Sequence, residues 1–156
     1  MQIVYLADCP LHVSLLAEWC HEQWGYLSPK RTLKEVENKF ADLLNIDKIP
    51  FALVAVENEK PIAMASLTVN DMDTYPELTP WLASVYVVPE FRKKGIGKKI
   101  VQSVLEKAKE QQFQKVYLFT MDQEHWYAQM GFQVLEKTTY HDENVTVMIC
   151  DVALLC

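Results

Sequence analysis

The chain has 156 residues, half of them apolar and 23% charged, a composition that supplies a sizeable core and excludes a disordered chain. Its 15 Lys and Arg against 21 Asp and Glu leave a formal net charge of −6, which argues against a general nucleic-acid binder or a protein held on anionic membranes. Four glycines are too few for collagen-like or glycine-linker architectures.

Met1 to Leu6 is short and apolar and predicts a first strand. After Pro10, the residues Leu11, Leu15, Leu16 and Trp19 recur at helical spacing, so a helix runs to about Trp24, with Gly25 and Pro29 as punctuation. Thr32 followed by Glu35 fits a capping box, and Leu33, Val36, Phe40, Leu43 and Leu44 form the apolar stripe of a second helix. Phe51 to Val56 and Pro61 to Val69 are strands of a hairpin whose polar turn spans Glu57 to Lys60. Asn70 to Pro80 is an acidic loop carrying Asp71, Asp73 and Glu77, and Trp81 to Val88 is the next strand, closed by Pro89. Ile96, Ile100, Val101, Val104, Leu105 and Ala108 mark one face of a long helix. Lys115 to Phe119 is a strand. Asp122 is the expected N-cap of a short helix ending at Met130, with Gly131 just past its end. Phe132 to Lys137 and Asn144 to Val152 close the chain as strands.

The order β-α-α-β-β-β-α-β-α-β-β contains no internal repeat and one β-α-β unit, which should be parallel and right-handed, whereas the consecutive strands before it should be antiparallel. The expected fold class is α/β, a mixed and mostly antiparallel sheet flanked by helices in a single domain over residues 1–156, not a doubly wound nucleotide fold. No apolar run approaches the roughly 18 residues of a membrane span. The N-terminal segment lacks a basic stretch and a small-residue cleavage site. Cys9, Cys20, Cys150 and Cys156 show neither C-x-x-C nor zinc spacing, so no metal is expected and the thiols read as reduced, with Cys150 in the core. These features predict a cytoplasmic protein without membrane or nucleic-acid partners.

The chemistry concentrates between Val85 and Lys99. Gly95 and Gly97, one residue apart, sit between the end of a strand and the start of a helix. Glycines there let backbone N–H groups turn toward one point, and the helix start adds its positive dipole end, so the segment can cradle a phosphate. Arg92, Lys93, Lys94, Lys98 and Lys99 reverse the sign of an otherwise acidic chain and suggest a multiply phosphorylated ligand. The spacing fails the Walker A pattern, and a dinucleotide fingerprint lacks its third glycine and comes after too many strands. A coenzyme A pyrophosphate site is the third reading; a solvated helix start is the plain alternative.

Arg92-x-x-Gly95-x-Gly97 resembles the Q/R-x-x-G-x-G/A motif of the Gcn5-related N-acetyltransferase (GNAT) family, and the segment from Trp126 and Tyr127 to Gly131 and Phe132 resembles that family's aromatic-Tyr-x-x-x-Gly-Phe segment. The matching part runs from about Trp81 to Phe132. The resemblance implies a GNAT-like fold in which the parallel strands Trp81–Val88 and Lys115–Phe119 splay apart around acetyl-CoA as cosubstrate. It implies pairing of the pantetheine amides with the backbone of Val85 and Val87. The Val87 N–H would face the thioester carbonyl, and N–H groups from Lys93, Lys94, Gly95, Ile96, Gly97 and Lys98 would hold the pyrophosphate beside Arg92. Tyr127 matches the general-acid position that protonates the departing thiolate, although by itself it could be a core aromatic beside Trp126.

The implied activity is acetyl transfer from acetyl-CoA to a primary amine of a small molecule or peptide by direct attack; the alternative is a non-catalytic acyl-CoA binding or sensing module. Asp71 and Asp73, with Glu77 in an acidic loop beside Trp81, are acceptor-site candidates and suggest a cationic acceptor through Coulomb and cation–π attraction. His125 is close in sequence to Tyr127. Trp24 and Tyr26 either line the acceptor side or are buried helix aromatics. Where many family members carry a cofactor-contacting Asn, this chain has Thr120 to His125, of which Thr120 or Gln123 could substitute. Family members often form dimers, so a homodimer is a possible state.

Overall fold

The computed structural model describes residues 1–155, and among these the elements follow one another in the expected order. The strands are β1 (Gln2–Tyr5), β2 (Phe51–Glu57), β3 (Lys60–Thr68), β4 (Trp81–Val87), β5 (Lys115–Thr120), β6 (Phe132–Tyr140) and β7 (Glu143–Asp151), and the helices are α1 (Val13–Trp24), α2 (Leu33–Ala41), α3 (Ile96–Glu110) and α4 (Glu124–Ala128). The strands form one sheet in the order β1-β2-β3-β4-β5-β7-β6. Only β4 and β5 pair in parallel, across the right place for a β-α-β unit built on α3; the other pairings are antiparallel. Alternation along β2 and β3 divides the core into two layers. Leu53, Ala55, Ala63 and Ala65 face α3, while Ala52, Val54 and Met64 face α1 and α2. On α3, Ile100, Val101, Val104 and Leu105 are fully or almost fully buried, each contributing about 1.5–3 kcal/mol of transfer free energy.

Several local expectations need correction. The first helix starts at Val13, and its buried residues are Leu16 and Ala17; Leu11 is 94% exposed and Leu15 is exposed too. Pro10 opens a separate 3₁₀ turn, so the residues up to His12 are out of phase with the helix that follows. The second helix ends at Ala41 and leaves Leu44 exposed, although Thr32 caps it as expected, its Oγ1 accepting from the Glu35 N–H at 3.2 Å. Asp122 does not cap α4. Gln123 occupies that position, and its N–H donates to Thr120 Oγ1 at 3.1 Å, so a threonine turn at the end of β5 sets the helix start. The final hairpin is longer than expected, because β6 continues to Tyr140.

Cys9, Cys20 and Cys150 are free thiols and Cys150 is buried; Cys156 lies outside the described residues. Among the described residues no helix is long and apolar enough to cross a membrane.

The decisive feature is the opening between β4 and β5. Their register holds at a single pair, Trp81 with Tyr117, beside a Tyr117 N–H to Pro80 carbonyl bond of 3.0 Å. Beyond it β4 departs. Between the pairs Met64–Tyr86 and Ser66–Ala83, the two residues Ser84 and Val85 of β4 face the one residue Ala65 of β3. This bulge bends β4, and Ser84 adopts φ 54° to make it. A left-handed serine costs about 1–2 kcal/mol, which marks the bend as a constrained feature of the sheet.

Candidate active site

The gap opens into a cavity of about 780 Å³ that runs through the sheet from the α3 side to the α1–α2 side. Val85, Val87, Arg92, Lys93, Gly95, Ile96, Gly97, Lys98 and Tyr127 line it, so the structure brings together all but one of the residues that the sequence assigns to the cosubstrate and the general acid. The exception is Lys94, whose ammonium lies over the Phe91 ring, 5.4 Å from its centroid.

At one end stands the start of α3. Gly95, the residue before the helix, has φ +80°, and Lys93 has φ 65°, so the chain makes two left-handed turns in quick succession. Such alternation turns successive N–H groups inward. No side chain caps the helix, and the first backbone bond within it comes from the Lys99 N–H to the Gly95 carbonyl, at 3.1 Å. The N–H groups of Ile96, Gly97 and Lys98 therefore end the helix dipole at the cavity. Gly97 is required for a different reason. A Cβ there would sit 3.1 Å from Trp126 Cζ2 and 3.4 Å from Val87 Cγ2. An uncapped helix end with inward N–H groups and basic side chains fits a pyrophosphate.

In the middle, Val88 donates its N–H to the Ile62 carbonyl at 2.9 Å. Alternation along an antiparallel ladder then turns the N–H and carbonyl of Val87 away from β3, toward the gap. The Val87 carbonyl accepts from Arg92 Nε at 2.8 Å, and the guanidinium also lies over the Tyr86 ring, 5.4 Å from its centroid. Arg92 thus braces the turn against β4, and the Val87 N–H is left facing the cavity.

Tyr127 sits opposite, on α4. It is only 9% exposed and packs edge-on against Trp126 and Phe132, with ring centroids 4.9 and 5.8 Å away. Its hydroxyl makes no hydrogen bond to another described residue. Burial, reinforced by the Asp122 carboxylate, raises the phenol well above its ordinary pKa. Core packing and a cavity-facing phenol coexist at this one residue. Thr120 and Gln123 also line the cavity, whereas His125 does not.

The far end corrects the expectation about the acidic loop. Trp81 is completely buried and its indole N–H donates to the Leu78 carbonyl at 2.7 Å, so it offers no face to a ligand. Asp73 and Glu77 are exposed and lie outside the cavity. Of the loop carboxylates only Asp71 lines it, half-buried, its carboxyl pushed up to about 6 by burial against the pull of Lys39 and Arg31. Arg31, Lys39, Cys20 and Ser84, which sequence reading did not single out, complete this end. Trp24 and Tyr26 are wall residues, and the Tyr26 hydroxyl donates to Met121 Sδ at 3.1 Å, tying the end of α1 to the end of β5.

Residues 14–132 match the model of a family described as acetyltransferase (GNAT) family. No curated protein matches the chain in sequence. Solved structures of similar fold include aminoglycoside 6'-acetyltransferase type Ii, at 16% identity and TM-score 0.75, and an aminoglycoside 6'-N-acetyltransferase complexed with coenzyme A, at 14% and 0.75. The aminoglycoside 6'-N-acetyltransferase from Enterococcus faecium follows at 14% and 0.73; in all three comparisons 97% of each chain is covered.

Proposed function

The chain belongs to the GNAT acetyltransferase family, and on that premise we propose that it transfers the acetyl group of acetyl-CoA to a primary amine of a small molecule or peptide, by direct attack within a ternary complex. The observation that carries this reading is the continuity of one cavity from the uncapped start of α3, past the Val87 N–H and the Tyr127 hydroxyl, to Asp71. The relatives of similar fold that act on aminoglycosides, one of them with coenzyme A bound, support the amine and the cosubstrate as classes.

Acetyl-CoA supplies an acetyl group activated as a thioester. The N–H groups of Ile96, Gly97 and Lys98, with Lys93 and Arg92 beside them, hold the anionic pyrophosphate at the positive end of α3. Backbone groups of Val85, freed by the departure of β4 from β5, pair with the amides of the pantetheine arm, while the Val87 carbonyl is held by Arg92 and leaves the Val87 N–H for the thioester. The Val87 N–H donates to the carbonyl oxygen on which negative charge builds. Tyr127, protonated at neutral pH as an ordinary phenol is, donates its proton to the departing sulfur. Asp71 accepts a hydrogen bond from the amine of the acceptor and, ionised above about pH 6, takes up the proton that the amine must lose.

The test is release of free thiol from acetyl-CoA on addition of an amine library. Thiol release that depends on an added amine, with the acetylated amine identified by mass, is the expected result. Release independent of any amine, or none from a folded protein that binds acetyl-CoA, contradicts it.

A further inference from the structure

Two cations at the acceptor end of the cavity share a single acidic neighbour, Asp71. Arg31, in the turn before α2, and Lys39, on α2, both line the cavity and both act on Asp71 through space, yet neither forms an ion pair among the described residues. The other loop carboxylates, Asp73 and Glu77, lie outside. At its acceptor end a chain with a net charge of −6 therefore presents Arg31 and Lys39 against Asp71, while Asp122 lies farther along the cavity near Tyr127. A polycation entering here would find an excess of like charge, but a molecule bearing one ammonium and one carboxylate would find both complements. These cations also lie on the α1–α2 face of the sheet, across from the α3 start where phosphates are held, so the pyrophosphate does not account for them.

Resting on the function proposed above, we propose that the acceptor is a zwitterion of the amino-acid or short-peptide class, with Arg31 and Lys39 holding its carboxylate while Asp71 holds its amine. Arg31 presents a planar fork that suits a carboxylate, and Lys39 adds a point charge from the next element. The neutral polar side chains of Cys20 and Ser84 line the same cavity. Trp24 and the Tyr26–Met121 bridge form the wall, which limits the length of substituent that the site admits.

The experiment sets amino acids and dipeptides against their carboxyl-free counterparts, the corresponding amides and decarboxylated amines, together with linear polyamines. Thiol release is followed for the wild type and for the double variant Arg31→Gln/Lys39→Gln, and acetyl-CoA binding is measured by calorimetry on the same preparations. The wild type should prefer carboxylated amines. The variant should lose roughly ten- to hundredfold in kcat/KM on them, mainly through KM, and little on the carboxyl-free set, with acetyl-CoA affinity unchanged. Faster acetylation of polyamines or of the carboxyl-free set overturns the inference and leaves acetyl transfer standing. So does acetyl-CoA binding without turnover of any amino acid or peptide, and so does a variant that loses acetyl-CoA affinity, which would assign the cations to the cosubstrate. A wild type that does not bind acetyl-CoA overturns both readings.

Discussion

The indole of Trp126 is seated against Gly97 so closely that a Cβ on the glycine would lie 3.1 Å from Trp126 Cζ2. This contact links the helix that carries Tyr127 to the first turn of α3, and hence the position of the phenol to that of the phosphate-facing N–H groups. The second glycine of the motif works as a spacer, whereas the first, Gly95, has open space around its Cα and is required by its φ of +80°.

The two glycines should therefore fail differently. Gly97→Val pushes Trp126 and α4 away, an overpacking cost of about 1–3 kcal/mol, and should lower both the melting temperature and acetyl-CoA affinity, the latter by tenfold or more. Gly95→Ala meets no atom but forces a left-handed alanine, at about 1–2 kcal/mol. It should destabilise without displacing Trp126. Tryptophan fluorescence with thermal melts separates the outcomes: an altered spectrum is expected in the valine variant only.

Tyr127→Phe removes a hydroxyl that bonds to no other described residue and leaves the aromatic contacts with Trp126 and Phe132 in place. Stability and acetyl-CoA affinity should be nearly unchanged, while turnover at saturating substrates falls by about 10²–10⁴-fold. Steady-state rates with calorimetry on the same variant check this. An unchanged turnover would reduce Tyr127 to a core aromatic.

Those residues were legible because their signals are local. Glycines before a helix, a basic cluster against an acidic background and an aromatic pair before Gly131 all lie within short windows of sequence. The acceptor end was legible only at Asp71, because Arg31, Lys39 and Asp71 meet only through tertiary folding, from the turn before α2, α2 itself and the β3–β4 loop. Asp73 and Glu77 carry the same sequence signal as Asp71 and point elsewhere. The bulge at Ser84 was hidden as well, since no glycine marks its positive φ. The first helix misled for a related reason: Leu11 continues the apolar spacing of Leu15 and Leu16, but the 3₁₀ turn at Pro10 breaks the phase, and burial of Leu16 and Ala17 decides the face.

Asp71 gives a pH dependence of definite sign. Its folded carboxyl is raised to about 6 from 3.8, so the native state binds this proton more tightly than the unfolded chain does. The stability it contributes is present below about pH 4 and lost as pH rises through 6. Asp71→Asn, neutral throughout, should melt higher than the wild type at pH 7–8, with the gap closing toward pH 4. In the wild type kcat/KM should rise with pH through about 6, and the variant should lose that rise along with most of its activity. Thermal melts and rate profiles across this range check both.

Acetyl transfer by this chain requires first that the opening between β4 and β5 accept acetyl-CoA. Calorimetric titration of the folded protein with acetyl-CoA tests it most directly. Binding in the micromolar range, abolished or weakened at least tenfold in Gly97→Val and retained in Tyr127→Phe, is the predicted result. A wild-type protein that gives a cooperative melt and yet takes up no acetyl-CoA would contradict the claim, and the basic glycine turn would then be an ordinary helix start.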